Sequence, residues 1–231
     1  MKAFPVVVHS LLFPLILFAQ ISEPTPSRMI TCRLSEQTPV IDGVLTDDCW
    51  RKAEVVSDFS LLRRKGPAKE QTQGMVAFDA RNLYIAFICF ESDNATIRKK
   101  LTARDAPLWA DDCIEVFLDP RHDHTSYHHL ITNPNGAKYD ETGRIGAPVP
   151  NPSSWDGEWT VATGIFDGGW TVEIAISFAS MGLSTPRAGT IWGFNLHRQE
   201  HRLREQSSWR ETERWFHEPK NFGHLLFVPP F

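Results

Sequence analysis

The sequence has no excess of positive charge, and this argues against one class of partners. Its 231 residues include 24 Lys and Arg against 28 Asp and Glu, so the formal net charge is −4. Proteins that bind nucleic acids normally present a basic stripe to the phosphate backbone. The weakly acidic composition therefore argues against a nucleic acid partner.

The sequence also lacks the short motifs that mark common catalytic and metal sites. It contains no GxSxG, HExxH or P-loop pattern, and its four cysteines match no zinc spacing such as paired CxxC. Glycoside hydrolysis needs two carboxylates about 5 to 9.5 Å apart across a cleft. Acidic residues are plentiful, but their surroundings mark out no such pair. We therefore predict that this chain is not an enzyme.

Long apolar runs are scarce, and the clearest one lies at the N-terminus. Residues 1–19 place Lys2 before an apolar run that ends at Phe18, and small Ala19 follows. This layout is typical of a secretory signal peptide, and the run is short for a membrane-spanning helix, which needs about 20 residues. We predict a signal peptide over 1–19, a polar linker over 20–28 and one folded domain over 29–231. The mature protein would be secreted or periplasmic and would leave the membrane once the signal is cleaved.

Export would place the four cysteines in a compartment where disulfides persist. Two of them, Cys89 and Cys113, lie inside strand-like runs, where buried free thiols are equally common. The sequence leaves both possibilities open for Cys32, Cys49, Cys89 and Cys113.

Helical periodicity is weak, whereas short β-branched and aromatic runs recur throughout the chain. Asp167-Gly168-Gly169 between two such runs supplies the positive φ angles that a short hairpin loop requires. We predict an all-β fold, an antiparallel β-sandwich of jelly-roll or immunoglobulin-like type, with short helical turns near 96–104 and 178–181. The predicted strands are residues 74–79, 82–91, 113–119, 159–166, 170–176, 191–197 and 223–228.

Five stretches follow one another in the order and spacing of a known family. They are 40–50 (VIDGVLTDDCW), 83–87 (LYIAF), 109–120 (WADDCIEVFLDP), 133–136 (NPNG) and 221–225 (NFGHL). Together they make the chain resemble the family 9 carbohydrate-binding modules, which lie within the wider DOMON-like group of β-sandwich domains. The resemblance implies a non-catalytic sugar-binding domain.

The sequence has eight tryptophans against three tyrosines. We divide the tryptophans into structural residues and candidates for ligand binding. We predict that Trp50, Trp159, Trp170 and Trp192 are structural. Trp109 differs, because it lies in a loop-like segment just before a strand, where a large indole is hard to bury.

The resemblance assigns a role to Trp109 and to several polar residues. In the family, an indole at this position forms one wall of a sugar slot, and the acid six residues later, here Glu115, bonds sugar hydroxyls. We expect the second wall at Trp215, with Trp209 as the reserve. The resemblance also places His129 and Lys138 beside the sugar, and Arg198 can stack on an indole or fork to hydroxyls.

A structural calcium ion is a further expectation, and no other cofactor is required. Related modules bind calcium, and secreted sandwiches with clustered acids offer the hard oxygen ligands that this ion prefers. The candidate ligands are Asp111, Asp112, Asp119, Asp123 and Asp140. The histidine-rich stretch 121–129 fits no defined metal site, and we predict a surface loop there.

A haem domain is the alternative, because the DOMON-like group also contains haem-binding and interaction domains. Haem needs axial ligands that face each other across a pocket, such as Met75 or Met181 opposite His129 or His197. The chain has no CxxCH motif, so such a haem would be non-covalent.

The favoured hypothesis is a secreted module that contributes to carbohydrate catabolism, binds a polysaccharide or oligosaccharide, and acts beside a separate glycoside hydrolase.

Overall fold

The computed structural model of the chain describes residues 28–64, 66–146 and 149–230. The predicted signal peptide, and all of the predicted linker except Arg28, lie outside the described residues. Among the described residues, no helix is long and apolar enough to span a membrane.

Strands account for most of the regular structure, as predicted. One short helix, α1 (Asp48–Lys52), and single turns of 3-10 helix at Asn94–Thr96, Leu108–Ala110, Pro152–Ser154, Ala179–Met181 and Pro219–Asn221 complete it. The strands of the described residues are β1 (Met29–Leu34), β2 (Val55–Val56), β3 (Ser60–Leu61), β4 (Thr72–Phe78), β5 (Asn82–Phe90), β6 (Cys113–Asp119), β7 (Ser126–Thr132), β8 (Lys138–Arg144), β9 (Trp159–Phe166), β10 (Gly169–Ser177), β11 (Ile191–Glu200), β12 (Glu205–Ser208) and β13 (Gly223–Val228).

The strands pair in the order β8-β7-β6-β11-β13-β1-β4-β5-β10-β9, and the short strands β2, β3 and β12 pair at the sides. Neighbours along this path are antiparallel, except that β1 runs parallel to both β13 and β4. The two halves of the path pack against each other over one apolar core, to which Val116 and Leu196 contribute from one half and Phe87 and Ile174 from the other. The fold is therefore the predicted β-sandwich.

Strand β6 positions the pocket described below, because its residues alternate between two faces. Ile114, Val116 and Leu118 point into the main core. Glu115 and Phe117 point to the opposite face of the sheet, as the alternation predicts. There Phe117 belongs to a second, smaller apolar cluster that the loop before β13 covers with Phe216 and Phe222.

The hairpin between β9 and β10 has the predicted loop chemistry. Gly168 and Gly169 adopt φ angles of +103° and +152°, which residues other than glycine rarely adopt. Pairing then runs from Gly169 opposite Phe166 to Ile176 opposite Trp159.

The predicted surface loop over 121–129 is wrong in its second half. Residues from Ser126 onward form β7, and His129 is almost fully buried. The segment alternates as a strand should, but histidine occupies a buried position that is usually apolar. His129 tolerates that position because both of its ring nitrogens face carboxylates.

The four cysteines are free and buried. Burial raises the pKa of the Cys89 thiol to about 12, so it remains protonated and unreactive at neutral pH. Trp50, Trp159, Trp170 and Trp192 are all buried, as expected for structural tryptophans.

Candidate functional site

Trp109 and Trp215 line one open pocket on the outer face of β6, β7 and β8, with a volume of about 590 Å³. Their side chains are 47% and 61% exposed, whereas the structural tryptophans are buried. The pocket floor is polar, and the walls are largely aromatic. Pockets of this size and composition are typical of small-ligand sites.

The segment just before β6 holds Trp109 at the pocket wall. Leu108, in the same single turn of 3-10 helix, is fully buried and anchors that turn. The Trp109 ring packs edge-to-face on Tyr139, with ring centroids 5.5 Å apart. This contact supports the indole, which remains 47% exposed.

The loop between β12 and β13 carries Trp215. Glu218 ties this loop together, since its carboxylate accepts hydrogen bonds from the backbone N–H groups of Glu213 and Arg214 at 2.7 and 3.0 Å. Phe216 is buried against His197, with ring centroids 4.0 Å apart. Because its neighbour is anchored, Trp215 is held at the pocket although its own ring is exposed.

A chain of hydrogen bonds connects the polar groups on the floor. His129 donates from Nε2 to Glu115 Oε2 at 2.9 Å and from Nδ1 to Glu141 Oε1 at 3.0 Å. The Gln199 amide donates to Glu115 Oε1 at 2.8 Å, and the Tyr139 hydroxyl donates to Glu141 Oε2 at 2.9 Å. Glu115, His129 and Gln199 come from three adjacent strands, so the sheet itself sets their spacing.

The two carboxylates control the protonation of His129. Burial by itself would lower the pKa of this imidazole, but the hydrogen bonds to Glu115 and Glu141 raise it above its ordinary value. Burial by itself would raise the pKa of the Glu141 carboxyl, but the hydrogen bond from His129 holds this pKa below its ordinary value. A carboxylate acceptor at each ring nitrogen favours the doubly protonated ring over the neutral one.

His217 completes the floor. Its Nδ1 lies 2.8 Å from the Tyr127 hydroxyl and 3.9 Å from Glu141 Oε1. Burial lowers the pKa of His217. Donor atoms of His129, Glu141 and His217 all lie within 4.8 Å of one another, so this trio could hold a metal ion.

Trp209 is corrected from reserve wall to core residue. It is 3% exposed, and its ring lies 5.9 Å from that of Phe194. Its backbone N–H donates to the Leu196 carbonyl at 2.9 Å, so the residue continues the pairing of β12 with β11. Strand alternation at this point directs the indole inward.

Arg198 and Lys138 are also corrected, because each is one residue out of phase with the pocket. Arg198 is 1% exposed and donates to the carbonyls of Gln71 and Phe90 at 3.1 and 2.8 Å. Lys138 donates to the Trp159 carbonyl at 2.8 Å. A shift of one residue along a strand reverses the face, and the pocket residues of these strands are Gln199, Tyr139 and Glu141.

Sequence reasoning missed Gln199, Tyr139, Glu141 and His217. The signal that could have found the first three is period-two alternation. Gln199 shares a face of β11 with His197, and Tyr139 and Glu141 alternate with Lys138 and Asp140 in β8. No comparable local pattern marks His217, since it lies in a loop.

Each predicted calcium ligand accepts hydrogen bonds from protein donors. Asp111 accepts from the N–H groups of Lys100 and Leu101 at 2.7 and 2.8 Å. Asp112 accepts from the N–H groups of Arg98 and His201. Asp119 accepts from the backbone N–H groups of Asp123 and His124. Asp123 accepts from the backbone N–H groups of Thr125 and Ser126. Asp140 accepts from the side chains of Arg104 and Trp159. The calcium ion stays a prediction, which thermal unfolding with and without a chelator would test.

The predicted haem ligands do not face one another among the described residues. Met75 packs beside Trp50, and Met181 belongs to the main core. His129 lies in the pocket, whereas His197 is fully buried behind Phe216. Neither methionine lines the pocket that contains His129.

Comparison with known proteins gives a consistent result. A family model described as "Carbohydrate family 9 binding domain-like" matches residues 41–228. The chain is 30% identical to endo-1,4-beta-xylanase A of Thermoanaerobacterium saccharolyticum over 159 residues, which are 69% of this chain and 12% of the xylanase. It therefore matches a small part of that much longer protein.

Two solved structures share the fold. A family 9 carbohydrate-binding module from Caldicellulosiruptor kristjanssonii in complex with cellotriose has a TM-score of 0.61 at 20% identity, covering 88% of this chain and 95% of that one. The same kind of module from that organism in complex with glucose has a TM-score of 0.57 at 20% identity, covering 88% and 97%. The family model covers most of the chain, and the matched range contains all of the predicted motifs except Val40. The chain therefore belongs to family 9 of the carbohydrate-binding modules.

Proposed function

We propose that the pocket binds a sugar ring between the indoles of Trp109 and Trp215. The observation that carries this proposal is the pairing of two exposed tryptophans at one pocket above a hydrogen-bonding floor. The C–H faces of a pyranose are apolar, so flat aromatic rings can cover them while polar side chains reach the hydroxyls at the edge.

The floor supports this proposal because it offers both hydrogen-bond acceptors and hydrogen-bond donors. Glu115 already accepts from His129 and Gln199, and a carboxylate has further lone pairs to accept from a sugar hydroxyl. Gln206 donates to Gln199 Oε1 at 3.2 Å, which orients the Gln199 amide. Arg63 lies at the same pocket and adds N–H donors. A sugar with several hydroxyls would find partners for most of them.

The related proteins suggest the class of sugar. The xylanase is named for β-1,4-linked xylan, and the two solved modules hold cellotriose and glucose. We propose a β-1,4-linked glucose or xylose oligosaccharide as the ligand of this chain. The protein would act without catalysis, outside the cytoplasm, and would support carbohydrate breakdown beside a glycoside hydrolase.

Isothermal titration calorimetry with cellotriose and with xylotriose tests this function. Trp109→Ala and Trp215→Ala should each weaken binding strongly, because each removes one apolar wall. Ile165→Ala is the matched control, since Ile165 is an exposed apolar side chain on β9 and does not line the pocket. Loss of affinity in the control, or unchanged affinity in both tryptophan variants, would exclude this site as the sugar slot.

A further inference from the structure

The pocket floor contains a group of metal-ligating side chains that sugar binding alone does not require. His129 Nδ1 lies 3.0 Å from Glu141 Oε1, and His217 Nδ1 lies 3.9 Å from the same oxygen. In a tetrahedral site with bonds of about 2.0 to 2.2 Å, ligand atoms lie about 3.3 to 3.6 Å apart. Small side-chain movements would therefore bring these three donors to coordination distance.

The donor set is specific in its chemistry. Two imidazole nitrogens and one carboxylate oxygen are typical ligands of zinc sites that keep one position open. Calcium prefers oxygen ligands only, so it would not choose this trio. We propose that His129, Glu141 and His217 bind one Zn²⁺ ion, with the fourth coordination position facing the pocket.

Outer groups already hold two of the three ligands in place. Glu115 accepts from Nε2 of His129 at 2.9 Å, on the side of the ring away from the proposed metal. The Tyr139 hydroxyl donates to Glu141 Oε2 at 2.9 Å, which leaves Oε1 for the ion. A carboxylate on the far nitrogen of a metal-binding histidine is a recurrent feature of zinc sites. This support is independent of the distances among the ligands themselves.

The charges at the site also favour a divalent cation. Two carboxylates of low exposure, Glu115 and Glu141, lie 2.9 and 3.0 Å from the ring nitrogens of His129. A bound Zn²⁺ ion would bring two positive charges next to them. His217 would exchange its hydrogen bond with the Tyr127 hydroxyl for the metal.

A second histidine group provides the rival site and the control. His122 Nε2 lies 3.0 Å from His224 Nδ1, and the His124 ring lies 4.6 Å from that of His122. These residues do not line the pocket. Zinc bound by the chain could therefore come from either group, and variants separate the two.

Calorimetric titration of the untagged protein with ZnCl₂, in the absence of sugar, tests the proposal. We expect one ion per chain. Glu115→Gln should weaken zinc binding roughly 10- to 100-fold, as loss of an outer partner does, and His217→Ala and Glu141→Gln should weaken it more. His224→Ala should leave the affinity unchanged.

Circular dichroism confirms that each variant is folded, and having two ligand variants protects the test if one of them unfolds. The proposal is overturned if the wild type binds no zinc, if both ligand variants keep the wild-type affinity, or if His224→Ala abolishes binding. Because no sugar is present, the result is separate from that of the cellotriose titration.

Discussion

Glu115 on β6 and His129 on β7 meet across adjacent strands, with Glu115 Oε2 2.9 Å from His129 Nε2 and both side chains buried. The opposite ring nitrogen of His129 faces Glu141, which makes the imidazole a bridge between two acids. This bridge joins three strands of the pocket floor.

Substitution of His129, which lies at the centre of this bridge, should lower the free energy of unfolding. His129→Leu removes the shared cation and leaves Glu115 and Glu141 facing an apolar group. Removal of one partner from a buried ion pair costs about 3 to 5 kcal/mol, so we expect a loss of this size in the free energy of unfolding. Urea denaturation at neutral pH measures it. A loss below about 1 kcal/mol, the range of an exposed pair, would show that the acids do not depend on His129.

Arg198 should be important for stability and unimportant for binding. It is buried, donates to the carbonyls of Gln71 and Phe90, and lies 3.4 Å from Glu91. Arg198→Met removes the guanidinium donor from both carbonyls. The Gln71 carbonyl still accepts from the Phe90 N–H at 3.0 Å, so we expect a cost of about 1 to 3 kcal/mol from the Phe90 carbonyl, which loses the Arg198 donor. We expect a clear drop in the unfolding midpoint and an unchanged cellotriose affinity of the folded fraction. A large loss of cellotriose affinity without loss of stability would show that Arg198 contributes to sugar binding.

His197 should make the protein sensitive to acid. It is fully buried, neither ring nitrogen has a hydrogen-bond partner, and burial lowers its pKa well below the ordinary value. Below about pH 6.5 the unfolded chain gains a proton that the folded chain does not bind, so stability falls as pH falls toward the folded-state pKa. The slope approaches about 1.4 kcal/mol per pH unit for this group.

The histidine's share can be separated from that of the carboxylates by substitution. His197→Met should lose less stability than the wild type between pH 7 and pH 5, as measured by urea denaturation at each pH. His124→Met, at an exposed position, is the matched control and should keep the wild-type slope. Equal slopes in all three proteins would mean that His197 is not buried in its neutral form.

The sequence predicts the strands whose apolar residues alternate or cluster. Strands β6, β9 and β13 begin and end at the predicted residues, because β-branched and aromatic side chains fill both their faces or one of them. Strand β8 reads KYDETGR and carries no apolar alternation, since one of its faces lines the pocket. Polar composition hides such a strand from pattern reasoning, and β8 is absent from the predicted strands.

The resemblance predicts Trp109, Glu115, His129 and Trp215 at one site, and these four residues line the pocket. Trp109 and Glu115 fall within one motif, on a turn and the strand that follows it. Gln199 and Glu141 reach the pocket through strand pairing, and a one-residue shift in either strand selects the wrong face. The predicted residues Arg198 and Lys138 each lie one position away from a pocket residue and therefore face the other way. Trp209 fails for a related reason, because its pairing with β11 is not visible from the loop-like sequence around it.

The most direct measurement of the central claim is a crystal structure of the protein with cellotriose. We predict one pyranose ring between the indoles of Trp109 and Trp215, with a hydroxyl within hydrogen-bond distance of Glu115. A sugar that contacts neither indole, or one bound at another face of the sandwich, would contradict the account.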